Sequence, residues 1–242
     1  MPDTAAPHPV IAVRAALDTA ARAAGRAPTD VTLVAVSKTF PAESVCAAYN
    51  AGQRHFGENY VQEGCAKIDA LSHLDGAVWH FIGPLQSNKS RMVAERFDWM
   101  HSVDRESIAR RLSEQRPAGK APLRVCIQVN VSGEESKSGV EPADVLPLAR
   151  AIAALPNLEL RGLMAIPAPA DDAVVQRAPF ATLRRIRDDL AGHGIDLPDL
   201  SMGMSADYPA AVQEGATLVR IGSAIFGARQ PRPTVTGGEV SA

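Results

Sequence analysis

Short apolar segments alternate with longer amphipathic segments along most of the chain, and this alternation restricts the fold more than any other feature of the sequence. Segments with the apolar or β-branched composition of a buried strand lie at 31–36, 54–56, 79–82, 99–103, 123–131, 158–166, 200–202 and 217–221. A segment with helical periodicity follows each of them. Because parallel strands need connections of helical length, the alternation predicts an all-parallel sheet.

Eight strand–helix units in 242 residues predict an α/β fold, a single (β/α)8 TIM-type barrel with an extra N-terminal helix over residues 10–24. An open doubly wound sheet is the alternative, but its usual phosphate fingerprints, G-x-G-x-x-G after the first strand and G-x-x-x-x-G-K-[ST], are absent from the sequence. No linker rich in Pro and Gly divides the chain. We therefore predict one barrel domain over residues 1–229 and a flexible C-terminal tail over 230–242.

Two polar residues are predicted to cap helices at their N-termini. Ser87 precedes a helical segment that ends near residue 96, and Asp104 precedes one in which Ile108 and Leu112 fall on the same face. Side-chain oxygens of Ser and Asp commonly accept from the free amides of a first helical turn.

The chain has 27 acidic and 25 basic residues, a formal net charge of −2, and 5% aromatic residues. This balance predicts no nucleic-acid partner, because such partners select for basic patches and for aromatic side chains that stack on bases. No apolar run approaches the roughly 18 residues of a membrane span, and the N-terminus lacks the basic residues of a secretory signal. The spacing of cysteines and histidines predicts neither a disulfide framework nor a metal site. We expect a cytoplasmic protein that contacts no membrane.

Lys38 is the lysine whose position is most unusual. It follows directly on a six-residue apolar segment, whereas Lys67, Lys89, Lys120 and Lys137 lie in polar segments that we expect to be solvated. At the rim of a barrel the Lys38 amine would be partly desolvated, which lowers its pKa and makes it a nucleophile toward carbonyls. Its position alone favours a lysine that extends from a strand end into solvent, with a lysine that forms a Schiff base as the functional alternative.

Polar groups also follow the second and third strands. Gly57 permits close approach of a ligand to the backbone, and Asn59 offers a donor and an acceptor, either to a ligand or as a helix cap. His80 lies within an apolar strand and is predicted to be a hydrogen-bonded core histidine. The polar segment 130–139 is predicted to be a solvated loop, with a mobile loop that carries Lys137 over the site as the alternative.

The turns after the last two strands, 201–205 and 220–223, are predicted to form an anion site. Both consist largely of small residues and open helices, so they present free N–H groups and positive dipole ends at a frequent phosphate position of this barrel. Ser205 and Ser223 either add hydroxyl donors or serve only as helix caps. Arg220 lies in an apolar strand, so its guanidinium must pair with a core carboxylate or face an acceptor on a ligand.

A lysine, a phosphate site and an inward arginine together suggest pyridoxal 5′-phosphate as the cofactor. Its aldehyde needs the Lys38 amine, its phosphate needs the two turns, and its ring nitrogen can accept a hydrogen bond from Arg220.

Six segments also carry a resemblance to a known family: 34–39, 56–63, 80–89, 163–164, 200–207 and 220–227. They are similar to motifs of the pyridoxal phosphate homeostasis proteins of the YggS/PROSC type, which resemble the barrel domain of alanine racemase standing alone. The resemblance spans about residues 10–229. It implies Lys38 as the Schiff-base lysine and Arg220 at the ring nitrogen. The remaining implied cofactor contacts are Ser205, Gly222 and Ser223 to the phosphate, and Asn59 and Met204 near the ring.

Two functions from different classes fit these residues: a protein that holds pyridoxal phosphate in cofactor homeostasis, and a small pyridoxal-phosphate-dependent amino-acid racemase. Racemisation usually needs an acid/base on each face of the substrate. Lys38 would supply one of these two groups. Racemases of the resembling fold take the second acid/base, a tyrosine, from another domain. In this chain Tyr60 is the local candidate for that second group. A ring nitrogen beside Arg220 resists protonation and is a weaker electron sink. We therefore expect a monomeric carrier without significant turnover, whose partners are the cofactor and, transiently, apo-enzymes.

Overall fold

The structure, a computed structural model, describes residues 6–132 and 138–228. Its strands are β1 (Thr32–Val36), β2 (His55–Glu58), β3 (Val78–Phe81), β4 (Trp99–Val103), β5 (Leu123–Gln128), β6 (Leu158–Met164), β7 (Asp199–Ser201) and β8 (Leu218–Ile221). Each strand pairs in parallel with the next, and β8 pairs with β1, which closes the barrel. The predicted (β/α)8 barrel is confirmed, and the open sheet is excluded.

Helices precede β1 and follow every strand. They are α1 (Pro9–Ala23), α2 (Ala42–Asn50), α3 (Val61–Ala70), α4 (Ser90–Arg96), α5 (Glu106–Gln115), α6 (Val145–Ala153), α7 (Ala173–Gly192), α8 (Tyr208–Gln213) and α9 (Ser223–Phe226). The extra N-terminal helix is therefore present as α1. None of the helices in the described ranges combines the length and the apolar composition needed to cross a bilayer.

Two hydrophobic clusters hold the barrel together. The larger one joins the strands to the helices, and in α5 it takes the predicted stripe of Ile108 and Leu112, both fully buried. Burial of each such side chain contributes about 1.5–3 kcal/mol. The smaller, separate cluster comes from strand positions on the opposite face and fills the barrel interior: Val34, Trp99, Cys126, Met164 and Leu218.

The two predicted helix caps are wrong. Arg105 takes the N-cap position of α5, and Asp104 instead forms an ion pair with the Arg105 side chain at 2.6 Å. Ser87 begins a 3₁₀ turn, Ser87–Lys89, whose N-cap residue is Gln86. In both places the N-cap is the last residue with extended backbone angles, Gln86 or Arg105, and local composition does not show which residue that is.

Strand β5 ends at Gln128, three residues before the predicted boundary, because Val129 forms an isolated bridge with Val140. This bridge brings together the two ends of the predicted polar loop. Lys137 and the predicted tail over 230–242 lie outside the described residues.

Candidate functional site

A cavity of about 320 Å³ opens at the carboxyl ends of the strands. All seven residues singled out from the sequence line it: Lys38, Asn59, Met204, Ser205, Arg220, Gly222 and Ser223. They follow β1, β2 and β7 or lie in and after β8, so the closed barrel brings together residues almost 190 positions apart in the chain. Apolar side chains complete the wall: Val36, Phe40, Ile82 and Ile166.

The Lys38 side chain is half-buried, and the backbone on both sides of it is tightly held. The amide of Ser37 donates to the Gly57 carbonyl at 3.0 Å. The amide of Thr39 donates to Glu63 Oε1 at 2.5 Å, and Thr39 itself adopts φ of +69°. A β-branched residue is strained at positive φ, so this segment keeps its shape because its neighbours hold it.

Lys67 fixes the backbone of residues 37–39 through several hydrogen bonds. Its side chain is 5% exposed, and its ammonium donates to the Ser37 carbonyl at 2.7 Å, to Glu58 Oε1 at 2.7 Å and to Glu63 Oε1 at 2.8 Å. Three acceptors use all three N–H donors of the ammonium. The prediction that Lys67 is solvated is therefore wrong. Its i,i+4 spacing from Glu63 was a visible signal, but it did not tell which side of α3 faces the barrel.

Glu58 is fully buried in this cluster and also accepts from the Ser37 hydroxyl at 2.6 Å. Burial raises the pKa of the Glu58 carboxyl, and the Lys67 ammonium opposes that rise. Its second oxygen, Oε2, has no hydrogen-bond partner among the described residues. The cluster of Glu58, Glu63 and Lys67, called the lysine clamp below, was missed by the sequence analysis.

Asn59 brings an unsatisfied acceptor to the cavity. Its Oδ1 atom is buried and has no hydrogen-bond partner in the described part of the chain. The N-cap of α3 is Tyr60, so the alternative in which Asn59 caps this helix is wrong. Its backbone is packed against Gly83, where a Cβ atom would lie 2.2 Å from the Asn59 carbonyl oxygen. A buried acceptor without a partner costs free energy, and a ligand donor would satisfy it.

The two small-residue turns meet across the cavity. The hydroxyls of Ser205 and Ser223 lie 3.4 Å apart, and both side chains are exposed. Within the described ranges the amides of Ser205, Ala206 and Gly222 donate to no carbonyl or side chain. A Cβ at Gly222 would lie 3.0 Å from the Val36 carbonyl oxygen, so the absence of a side chain lets these strands approach closely. Hydroxyls and amides of this kind suit an anion.

One part of the predicted anion site is wrong. Helix α8 begins at Tyr208, three residues after Ser205, because Asp207 Oδ1 accepts from the Met204 amide at 2.6 Å and closes the intervening turn. The turn 201–205 therefore does not lead directly into a helix. Any anion here depends on local amides and hydroxyls more than on the dipole of α8.

Arg220 is 4% exposed. Its guanidinium was predicted either to pair with a core carboxylate or to face an acceptor on a ligand, and in the structure it is held by neutral acceptors while it also reaches the cavity. Nη1 donates to Ser201 Oγ at 2.6 Å and Nη2 donates to the Ala165 carbonyl at 2.9 Å, while the residue also lines the cavity. Among the described residues no carboxylate forms an ion pair with it, and Asp207 attracts the guanidinium from a longer distance. Complete burial lowers the pKa of the guanidinium to about 10, so it remains charged at neutral pH.

His80 is a fully buried, hydrogen-bonded core histidine, as predicted. Tyr60, the candidate second acid/base, does not line the cavity and is 47% exposed. Lys38 and Arg220 are the ionisable side chains among the described residues that do line it.

Comparisons with known proteins place this architecture in a family. Residues 11–230 match the family model described as alanine racemase, N-terminal domain. A pyridoxal phosphate homeostasis protein of Pseudomonas aeruginosa is 59% identical over 217 residues, which cover 90% of this chain and 93% of that protein. One from Escherichia coli K12 is 54% identical over 227 residues, which cover 92% and 96%.

A solved structure supports the same assignment. PipY of Synechococcus elongatus PCC7942, determined with PLP bound, superposes with a TM-score of 0.79 at 41% identity, covering 90% of this chain and all of PipY. Both the relatives and this structure match nearly the whole length of the chain. The chain belongs to the pyridoxal phosphate homeostasis protein family, whose barrel is the alanine racemase N-terminal domain.

Proposed function

We propose that this protein binds pyridoxal 5′-phosphate in the cavity at the carboxyl end of the barrel and acts in intracellular homeostasis of that cofactor. The observation that carries the proposal is the convergence of Lys38, an unsatisfied Asn59 acceptor, a charged Arg220 and the Ser205–Ser223 turn pair on one cavity. The relatives of Pseudomonas aeruginosa and Escherichia coli, which are more than 50% identical to this chain, are named pyridoxal phosphate homeostasis proteins. The structure of PipY was determined with PLP bound.

The proposed attachment point is the Lys38 amine. When the cofactor is bound, this amine would be the nucleophile toward its aldehyde: the carbon–nitrogen bond would form first, and the aldehyde oxygen would then leave as water to give a Schiff base. The half-buried position at the end of β1 and the lysine clamp around residues 37–39 hold the amine at the cavity wall. A fixed backbone reduces the entropy lost when the side chain is immobilised.

The residues present fit the other parts of the cofactor. The Ser205 and Ser223 hydroxyls, with the amides of Ser205, Ala206 and Gly222, are the donors available to the phosphate. Arg220, held by Ser201 and Ala165, is the donor available to the ring nitrogen, and Met204 and Asn59 line the wall between these groups.

We further propose that the protein stores the cofactor and passes it to apo-enzymes, without significant turnover of its own. The bound cofactor supplies an electrophilic aldehyde and an electron sink. Racemisation on it would need two acid/base groups, and Lys38 is the one such group among the described residues lining the cavity. Charged Arg220 opposes protonation of the ring nitrogen and so weakens the electron sink. The relatives, moreover, are named for homeostasis and not for an enzymatic activity.

A monomeric state and a cytoplasmic location stay predictions from the amino-acid sequence. The eight strands form a closed barrel, so the sheet has no open edge through which two chains could pair. This supports a monomer, and size-exclusion chromatography with light scattering measures the oligomeric state directly.

The attachment is tested by adding pyridoxal phosphate to the purified protein, reducing with borohydride and sequencing the modified peptide. We expect the adduct on Lys38, loss of the imine absorbance in K38A, and retention of weaker phosphate-dependent binding in that variant. K120A removes an exposed lysine and is the matched control. An adduct that maps to another lysine, or that persists in K38A, would overturn the assignment of Lys38.

The carrier function is tested separately with the loaded protein. We expect the cofactor to reach an apo-enzyme faster than free hydrolysis of the Schiff base allows. Incubation with single amino-acid enantiomers should leave their configuration unchanged. Turnover of about 1 s⁻¹, an ordinary enzymatic rate, would overturn the carrier and establish the racemase alternative.

A further inference from the structure

A continuous line of polar side chains crosses the interior of the barrel behind the cavity. Beginning at Arg220, it passes to Ser201 Oγ at 2.6 Å, and from there to His101 Nδ1 at 2.7 Å. His101 Nε2 then lies 2.8 Å from His80 Nδ1, and His80 Nε2 lies 2.9 Å from His55 Nδ1. The line thus joins β8, β7, β4, β3 and β2 through side chains alone. Three histidines at hydrogen-bond distance in series are unusual in a barrel core, which is ordinarily filled by branched apolar residues.

Arg220 fixes the direction of every bond in this line. A guanidinium only donates, so Ser201 Oγ is an acceptor in that bond. Ser201 is fully buried, and the remaining partner of its hydroxyl among the described residues is His101 Nδ1. A buried hydroxyl hydrogen without an acceptor would be costly, so the serine donates to His101 and the Nδ1 atom carries no proton.

The positions of the ring protons along the rest of the line follow from this bond. Since His101 Nδ1 is bare, its proton lies on Nε2 and is donated to His80 Nδ1. His80 in turn carries its proton on Nε2 and donates it to His55 Nδ1. All three rings are therefore the Nε2–H tautomer, and each turns its lone pair toward the Arg220 end.

The two inner rings are electrically neutral. His80 and His101 are fully buried, and this burial lowers the pKa of both imidazoles well below the ordinary value of 6.5. The Arg220 charge lowers the pKa of His101 further. A neutral, oriented line stabilises the cation through its lone pairs without neutralising it, unlike a carboxylate in the same position.

We propose that His101, His80 and His55 are positioning residues that act on Arg220 through Ser201. They form a one-way hydrogen-bond line that aims at the cavity a charged guanidinium that has no direct ion pair among the described residues. The tautomers and the hydrogen-bond directions of the three histidines do not depend on any ligand. Its consequence for the cofactor, a ring nitrogen that accepts from Arg220 and stays unprotonated, rests on the proposed function.

The far end of the line reaches the opposite face of the barrel. His55 is half-buried and lines a second cavity at the amino-terminal ends of β1 and β2, together with Arg14, Gln53 and Arg54. The side chains of Arg14 and Gln53 are hydrogen-bonded to each other at 2.8 Å, and Arg54 donates to backbone carbonyls. The line therefore connects the interior to solvent at one histidine, whose Nε2–H is the outermost donor.

The tautomers are measured directly by long-range ¹H–¹⁵N correlation spectra of protein labelled at histidine. We expect His80 and His101 to be neutral at pH 7, with a bare Nδ1 and a protonated Nε2, in the ligand-free protein. An Nδ1–H tautomer or an imidazolium at either residue would overturn the proposal. This readout does not depend on cofactor binding, so it remains decisive if the proposed function fails.

The action on Arg220 is tested by two substitutions at one position. The amide of Asn overlies Nδ1 of histidine and the amide of Gln overlies Nε2, so H101N can still pair with Ser201 whereas H101Q cannot. Both variants lose one bond and part of a ring, so a purely structural role would affect them equally. We expect H101Q to weaken pyridoxal phosphate binding about tenfold more than H101N, with H73Q, at an exposed histidine, as the control for removing an imidazole.

Equal affinities of H101N and H101Q would overturn the positioning role while the tautomers could still be as assigned. Failure of the unsubstituted protein to bind pyridoxal phosphate would instead overturn the proposed function. If H101Q does not fold, S201A tests the same contact, with an expected loss of affinity and a shifted absorbance maximum of the bound cofactor.

Discussion

Two buried polar networks support the cavity from different sides, and each stabilises a buried cation. One does so with carboxylates and the other with neutral groups. The lysine clamp lies between the barrel and α3 and consists of one ammonium and two carboxylates within 2.8 Å. The histidine line lies in the barrel interior and consists of neutral rings and one hydroxyl that lead to a single cation, Arg220. The first fixes backbone, and the second fixes one side chain.

The difference follows from what each network has to hold. The clamp orients residues 37–39, whose strained Thr39 needs strong, short-range contacts, and its opposite charges offset one another's cost of burial. Arg220 must instead keep its charge available to the cavity. A carboxylate hydrogen-bonded to it would cancel much of that charge, whereas neutral acceptors stabilise it and leave Asp207 as a more distant counter-charge.

The largest expected effect is on the clamp. Lys67→Met leaves fully buried Glu58 and half-buried Glu63 without their cation, and removal of one partner from a buried charged network costs about 3–5 kcal/mol. Urea denaturation measures the loss in the free energy of unfolding. R91M, which breaks the exposed Arg91–Glu95 pair, is the control and should cost less than about 1 kcal/mol.

Neutralising the clamp sharpens this test. The double variant Glu58→Gln with Lys67→Met removes the fully buried stranded charge and leaves only that of half-buried Glu63, so it should recover part of the stability lost in Lys67→Met. A loss below about 1 kcal/mol in the single variant would show that the clamp does not act as a charged network.

The histidine line should make stability depend on pH. The pKa values of His55, His80 and His101 are lowered in the folded protein, chiefly by burial. Arg124 lowers the pKa of His55 further, and Asp98 opposes this. The unfolded chain therefore binds more protons below about pH 6.5, and stability falls as the pH falls. Each histidine contributes about 1.4 kcal/mol per pH unit until its folded pKa is reached.

Chemical denaturation at several values between pH 7 and pH 5 measures this slope. H101Q should reduce it by one proton relative to the unsubstituted protein, because one buried imidazole is gone. A free energy of unfolding that stays flat over this range would contradict neutral burial of the line. Glu58 of the clamp acts in the opposite direction, because burial raises the pKa of its carboxyl and the folded protein then binds that proton at a higher pH than the unfolded chain. Comparing H101Q with the unsubstituted protein removes this contribution, because both contain Glu58.

The smallest expected effect concerns the backbone that the clamp holds. Thr39→Gly relieves a β-branched residue at φ of +69°, which costs about 1–3 kcal/mol, against about 0.5–1 kcal/mol of added chain entropy in the unfolded state. We expect a net gain of about 0.5–1 kcal/mol in thermal or urea unfolding. N157G, at φ of +64°, is the comparison and should not gain stability, because Asn adopts this conformation readily and its Nδ2 atom donates to the Ser113 carbonyl at 3.2 Å. A destabilised Thr39→Gly variant would show that the threonine side chain contributes contacts that outweigh its strain.

The sequence allowed the architecture and the cavity to be predicted, but not the two networks. Alternating segments predicted β1 to β8, and strand ends predicted where Lys38 and Ser223 lie, because in a parallel barrel all carboxyl ends share one rim. Lys67 was misassigned as solvated, since its i,i+4 spacing from Glu63 does not show that this side of α3 faces the barrel and the buried carboxylate of Glu58. His101 and Ser201 are 100 residues apart, and nothing local indicates that they touch.

The amino-acid sequence by itself determined the order of strands and helices, the closed sheet and the set of residues at its rim, because hydrophobic periodicity and the right-handed parallel connection leave few other arrangements. Only the tertiary structure decided which buried polar groups meet. The charge of Arg220, the burial of Lys67 and the tautomers of three histidines depend on distances across the barrel, and a hydrogen bond exists only where folding places donor and acceptor within about 3 Å.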